Sequence, residues 1–457
     1  MKFRMILAAF LCLALGVALT AGGLHWGLID AEHATVDDLR QTIGTPTPPQ
    51  ATATATALPS ISTLAGTGGA PPSDTDSAQT KAAILGDGGP ACAAELVEPF
   101  AVAVSSNGWI YIADTRQNRV RCIQVSTGII GPIAGNGEAA YSGDGGAAIH
   151  AELNGPTGLA LDASGNLYIA DTGNNRIRKI VAPVTLDSSI TTVAGTGDAG
   201  MDPDGVSATA AALNGPMGLC WDSVHGCLVV ADTGNNRIVA FSPGGTLTTL
   251  AGDGVAGSPA SDGLATQNSV LLSHPQGVAV AALAMGCVAG NPTAATLFVA
   301  DTGNHAVRAL TGFSPSDAAA SVTLTTLTGG ATYAPTFLSP TGLALAYDSA
   351  DGQDDELTIA DVGTNRVLAL NVSACTWAAV AGTGNPGSGL GTATGNCLSS
   401  TALNGDGGLP QAALLDGPAG VTYDSANQRF LIADTGDGRI RAVTQWNPAA
   451  SSLVRKR

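Results

Sequence analysis

From about Pro99 to Val443, short apolar runs of strand length alternate with polar turns rich in Gly, Asn and Asp, and the same order of runs and turns recurs six times. The clearest copy, GPTGLALDASGNLYIADTGNNRIRKI, begins at Gly155; IYIADTRQNRV, LVVADTGNNRI, LFVADTGNHAV, LTIADVGTNRV and FLIADTGDGRI carry the others. Runs such as LYIAD and LVVAD are continuously apolar, as in strands covered on both faces. In a repeat array the cover is the neighbouring unit. Each unit also holds a later strand of the type T-V-A-G-T-G: IAGNG at Ile133, VAGTG at Val193, LAGDG at Leu250, VAGTG at Val380 and a weaker LTGG at Leu327. Four strands per unit, repeated radially, predict an all-β fold: a six-bladed β-propeller of four-stranded antiparallel blades.

The chain ends carry the closure. After the sixth copy, RIRAVTQWNPAASSLVRKR supplies no T-V-A-G-T-G strand, while an orphan STLAGTG stands at Ser62–Gly68 before the first. An N-terminal strand is therefore expected to complete blade six and leave no open sheet edge. This places the propeller at 61–447 and a tail at 448–457. Residues 1–27 read as an export signal, with basic Lys2 and Arg4 ahead of an apolar stretch and small residues. Uncleaved, the same stretch is a membrane anchor, the one route to a membrane. The Pro/Thr/Ala-rich 28–60 is a spacer. The expected location is secreted or cell-surface.

A net charge of −17 and an isoelectric point near 4.5 argue against nucleic acid, whose affinity rests on Lys and Arg. Aromatics at 4 % leave few stacking platforms. Export favours disulfides, and the spacing suggests Cys220–Cys227, Cys375–Cys397 and Cys92–Cys122, with Cys287 left over.

The A-D-T-G-N-N-R-[IV] signature, together with P-x-G-[LV]-[AT], resembles the NHL-repeat family of propellers over about four-fifths of the chain. Departures are local: Arg116 and Gln117 for Gly-Asn, Ala306 for Arg, and Ala101 for the inner-strand Gly. The resemblance implies an interaction platform. Some relatives are zinc-dependent lyases with histidines at the channel mouth, but the repeats offer only His150, His225, His274 and His305, in turns and loops that do not suit three ligands on one channel. Lactonase-like propellers hold an axial metal with acidic residues and Asn, where this chain has Gly158, Gly218, Gly277, Gly342 and Gly420.

The signature aspartates Asp114, Asp171, Asp232, Asp301, Asp361 and Asp434 end a strand before a tight turn, and Arg119, Arg176, Arg237, Arg366 and Arg439 follow five residues later. A carboxylate repeated around the ring suits each unit's own turn, capped by amides and paired with its Arg, so these read as structural. The loops before each inner strand share D-G pairs at Asp87, Asp144, Asp204, Asp262 and Asp406 and are expected to form a binding collar at one mouth of the channel. Calcium is the cofactor they would suit, although no loop has a complete calcium-loop pattern and Asp-Gly equally makes turns. The reading is an exported, non-enzymatic binding or scaffold module, a monomeric ring without a cofactor, presenting this collar to a protein or peptide. The alternative is a metal-dependent lyase or lactonase-like hydrolase at the channel mouth.

Overall fold

The computed structural model describes residues 59–68, 85–258, 262–281, 295–317, 320–327, 336–346, 356–372, 375–385 and 406–444. The signal, all of the spacer but its last two residues, the C-terminal tail, Cys287 and Cys397 lie outside these.

Six antiparallel sheets stand around one axis. Blade one is β2 (Pro99–Val104), β3 (Trp109–Asp114), β4 (Arg119–Gln124) and β5 (Ile129–Ala134); blade two is β6 (Pro156–Leu161), β7 (Leu167–Asp171), β8 (Arg176–Ile180) and β9 (Ile190–Ala194). Blade three is β10 (Pro216–Asp222), β11 (Cys227–Asp232), β12 (Arg237–Phe241) and β13 (Thr248–Ala251). Blade four is β15 (Val278–Ala281), β16 (Thr296–Asp301), β17 (Ala306–Thr311) and β18 (Ser321–Thr326), extended outward by β14 (Gly263–Thr266). Blade five is β19 (Pro340–Ala346), β20 (Glu356–Asp361), β21 (Arg366–Asn371) and β22 (Thr376–Ala381). In blade six, β23 (Pro418–Asp424), β24 (Arg429–Asp434) and β25 (Arg439–Thr444) receive β1 (Ser60–Ala65) as the outer strand.

The ring closes as the chain ends imply, with Ile61 opposite Val443 and Thr63 opposite Arg441. The extra β14 is the one departure from four strands among the described residues. It is part of the D-G loop, here paired along β18.

The core is six apolar layers, each shared by two adjacent blades. This explains the unalternating strands: Ile169 faces blade one while its neighbours Tyr168 and Ala170 face blade three. Ile61 completes the layer between blades five and six, and Ala65 the layer between six and one. At the axis, glycine sets the approach of the inner strands. A Cβ on Gly158 would sit 2.0 Å from the Met217 carbonyl oxygen, and one on Gly277 1.9 Å from that of Thr341.

Candidate functional site

The inner strands begin, and the signature turns lie, at one end of the blades; that end is called the loop face below. All six signature aspartates are fully buried there. Each accepts the backbone N–H of a residue just ahead of its own inner strand: Val97 (2.7 Å), Asn154 (2.8 Å), Asn214 (2.8 Å), Ser273 (2.8 Å), Ser339 (2.7 Å) and Asp416 (2.8 Å). Asn174, Asn235, Asn304 and Thr364, three residues on, donate a further bond to Asp171, Asp232, Asp301 and Asp361.

The expected Asp–Arg pairing at a spacing of five holds only in blade three, where Arg237 meets Asp232 at 2.9 Å. Arg119, Arg176, Arg366 and Arg439 instead bond backbone carbonyls of the loops leaving the outer strands, at Asn136, Thr196, Thr383 and Thr67. The carboxylate's cation is the arginine seven residues on: Arg121 (3.5 Å), Arg178 (3.2 Å), Arg308 (3.1 Å) and Arg441 (3.1 Å). Blade three has Val239 at that position, which leaves Asp232 open to Arg237. The R-x-R spacing in RVR, RIR and RIR is the signal that would have identified this second arginine.

Three of these arginines also meet the D-G aspartates: Arg121 with Asp87 at 2.5 Å, Arg178 with Asp144 at 2.6 Å and Arg441 with Asp406 at 2.5 Å. One guanidinium then serves two carboxylates. Burial raises the Asp114 and Asp434 carboxyls to about 7 against the pull of Arg121 and Arg441. It also raises Asp171, Asp232 and Asp301. Asp144 moves the other way: burial raises it, but bonds from Thr192 and the charge of Arg178 hold it below the usual range.

The D-G aspartates lie away from the channel, on the outer edges of the blades. Asp144, Asp204, Asp262 and Asp406 accept the N–H of Thr192, Thr249, Thr326 and Thr63, each on the outer strand of its own blade, at 2.8–3.1 Å. In blade one Pro132 occupies that position and has no N–H, so Asp87 bonds Arg121 alone among these partners. The loop backbone follows the same edge, Gly145 donating to Ile190 and Gly205 to Leu247. A strap over a strand that would otherwise expose its N–H groups accounts for the repetition. The five aspartates do not converge on one another.

The signature turn also joins blades. Thr115, Thr172, Thr302 and Thr435 donate to the carbonyl of the proline that starts the next inner strand, and Thr233 to that of Pro275, three residues ahead of β15, at 2.6–2.8 Å. Asn118, Asn175, Asn236 and Asn365, held at positive φ, accept an N–H from the segment ahead of that strand. His305 replaces this Asn in blade four and contacts the Leu338 carbonyl at 2.5 Å.

The axial channel is a cavity of about 70 Å³ walled by the inner strands, far below the several hundred Å³ of a typical small-molecule site. Its hydroxyls are engaged: Thr157 with Thr172 at 2.6 Å and Thr341 with the Ala419 carbonyl at 2.8 Å. The histidines are spread out. His225 pairs with Asp222 at 2.6 Å in a hairpin at the opposite end, His274 stands at a positive φ before Pro275, and His150 is exposed in a single 3-10 turn. Among the described residues no three His, Cys, Asp or Glu side chains are grouped to hold a metal.

None of the three suggested pairings is formed, because Cys122, Cys220, Cys227 and Cys375 are free thiols, whereas Cys92 is disulfide-bonded. Cys220 lies opposite Val229 and Cys227 opposite Asp222, so the two cysteines are diagonal neighbours, too far apart for an S–S bond. Cys122 faces blade two, while the turn carrying Cys92 packs toward blade six. Burial pushes the Cys227 thiol up to about 12.

The NHL repeat family model matches residues 153–180. NHL repeat-containing protein 2 of Bos taurus is 35 % identical over 155 residues, 32 % of this chain and 21 % of that protein. Teneurin-4 of Homo sapiens is 43 % identical over 99 residues, 19 % of this chain and 4 % of that protein. The chain thus spans about a fifth or less of these relatives' lengths. A structure described as an auxiliary nutrient binding protein from Bacteroides thetaiotaomicron superposes with a TM-score of 0.52 at 14 % identity, covering 84 % of this chain and 75 % of that one, a likeness of fold alone.

Proposed function

Because this chain belongs to the NHL-repeat β-propellers, we propose that it is a non-enzymatic binding module that presents its loop face to a protein or peptide partner. One observation carries the reading. The repeated polar groups that could have formed a reactive centre are consumed in turns, straps and inter-blade bonds, and the axial channel has room for little more than water. What differs from blade to blade is the outward surface of the loops, where propellers and other rigid scaffolds place their contacts. The N-terminal 1–27, read as an export signal, makes the partner extracytoplasmic.

The test is capture by the immobilised ring, followed by calorimetry with the purified captured protein. Binding at one partner per ring, lost when the loops are shortened, supports the module. Turnover of a lactone or of a peptidyl-hydroxyglycine by the purified ring would overturn it.

A further inference from the structure

The structure assigns the sector of the loop face over blades two to four to a basic, partly apolar extended peptide. This deepens the binding-module reading and rests on it.

The sector arises from a substitution between blades. In blade two Arg176 leaves the carboxylate to Arg178, and its guanidinium lies 3.6 Å from the centre of the Tyr141 ring, closing the loop surface. In blade three Arg237 turns inward to Asp232, and the place of Tyr141 is taken by Met201. Its sulfur lies over Gly254, 2.7 Å from where a Cβ would stand. Met201 remains 51 % exposed and Val255, beside that glycine, 64 %. Two apolar side chains so open to water, one lying over Gly254 and the other on the residue that follows it, make a small apolar floor.

The charges exposed around it are mostly negative. Glu138, Asp198 and Asp253 are exposed on the same run of loops. Two of the nearby arginines are neutralised, Arg178 by two carboxylates and Arg237 by Asp232, while Arg176, on the Thr196 carbonyl and Tyr141, and Arg119, on the Asn136 carbonyl, offset the rim only in part. An apolar floor within an acidic rim complements lysine or arginine alternating with an apolar residue, and repels acidic chains. The overall −17 favours the same encounter.

The experiment uses the full chain and three amidated peptides: one alternating Lys with Leu, one with Glu for Lys, and one with Ser for Leu. Fluorescence anisotropy should show binding of the first, weakened by salt, and at least about tenfold weaker binding of the other two. Met201→Ser with Val255→Ser should weaken the Lys–Leu peptide by about tenfold at unchanged melting temperature, since both side chains are already half out of the fold. Val181→Ser with Leu186→Ser, exposed apolar residues in the β8–β9 connection at the opposite end, should leave it unchanged. Equal weakening by both pairs, no weakening by the first, or preference for the Glu peptide would overturn the assignment. If the captured partner still binds the Met201/Val255 variant at full strength, the sector is wrong while the module reading stands.

Discussion

Removing the N-terminal strand should cost the ring far more than its length suggests. β1 brings Ile61, fully buried among Val380, Leu415, Phe430 and Val443, and Ala65, fully buried against Leu96 and Ile440. It also brings Thr63, whose N–H and hydroxyl bond Asp406 at 3.1 and 2.6 Å. Truncating Ile61 to Ala alone should cost about 2–5 kcal/mol, a fall in melting temperature of roughly 2–6 °C for a ring of this size. Leu64→Ala, at a half-buried position, should cost about 1 kcal/mol. Deleting 60–68 loses these terms together and exposes the edge of β25, so the truncated ring should melt much lower and aggregate. Differential scanning calorimetry with size-exclusion chromatography reads both effects. A truncated protein that melts within about 2 °C of the intact one and stays monomeric would refute closure by β1.

Three further outcomes follow from the seams. Thr172→Val should cost about 1 kcal/mol by removing the bond to Pro216, whereas Val362→Thr should stabilise blade five by a similar amount if it gains a bond to Pro418; chemical denaturation measures both. Arg178→Leu should destabilise by about 3–5 kcal/mol, because it leaves Asp171 and Asp144 without their shared cation, while Arg176→Leu should cost about 1 kcal/mol; similar losses would contradict the two roles. The raised carboxyls of Asp114 and Asp434 mean that between about pH 7 and pH 4 the folded ring holds protons the unfolded chain releases, so stability should rise as pH falls through that window. The depressed Asp144 acts oppositely, losing its contribution as pH falls below the usual Asp value. A melting temperature that drops between pH 7.5 and 5.5, or a profile unchanged in Asp114→Asn, would contradict this.

Blade number, strand order and closure were legible because they rest on periodicity. A strand buried on both faces needs apolar residues throughout, and the orphan Ser62–Gly68 matches the strand missing from the sixth unit. The partners of polar groups were less legible, because they depend on contacts between units that are distant in sequence. Asp144 resembles a ligand residue in a glycine-rich loop until Thr192, on the outer strand of its own blade, is seen to donate to it. Thr172 looks like turn filler until the next blade's Pro216 carbonyl stands opposite. Arg178 rather than Arg176 holds Asp171 because the nearer arginine is drawn to the Thr196 carbonyl. The Met201–Val255 floor follows from Val239 replacing a second arginine, a difference that a search for shared motifs passes over.

The most direct test of the loop face as the working surface is a hydrogen-exchange footprint of the ring with its captured partner bound. Added protection is expected in 195–202 and 252–258 and in the adjoining signature turns. Protection confined to the inner strands, or to the hairpins at the opposite end such as 223–226, would contradict the account.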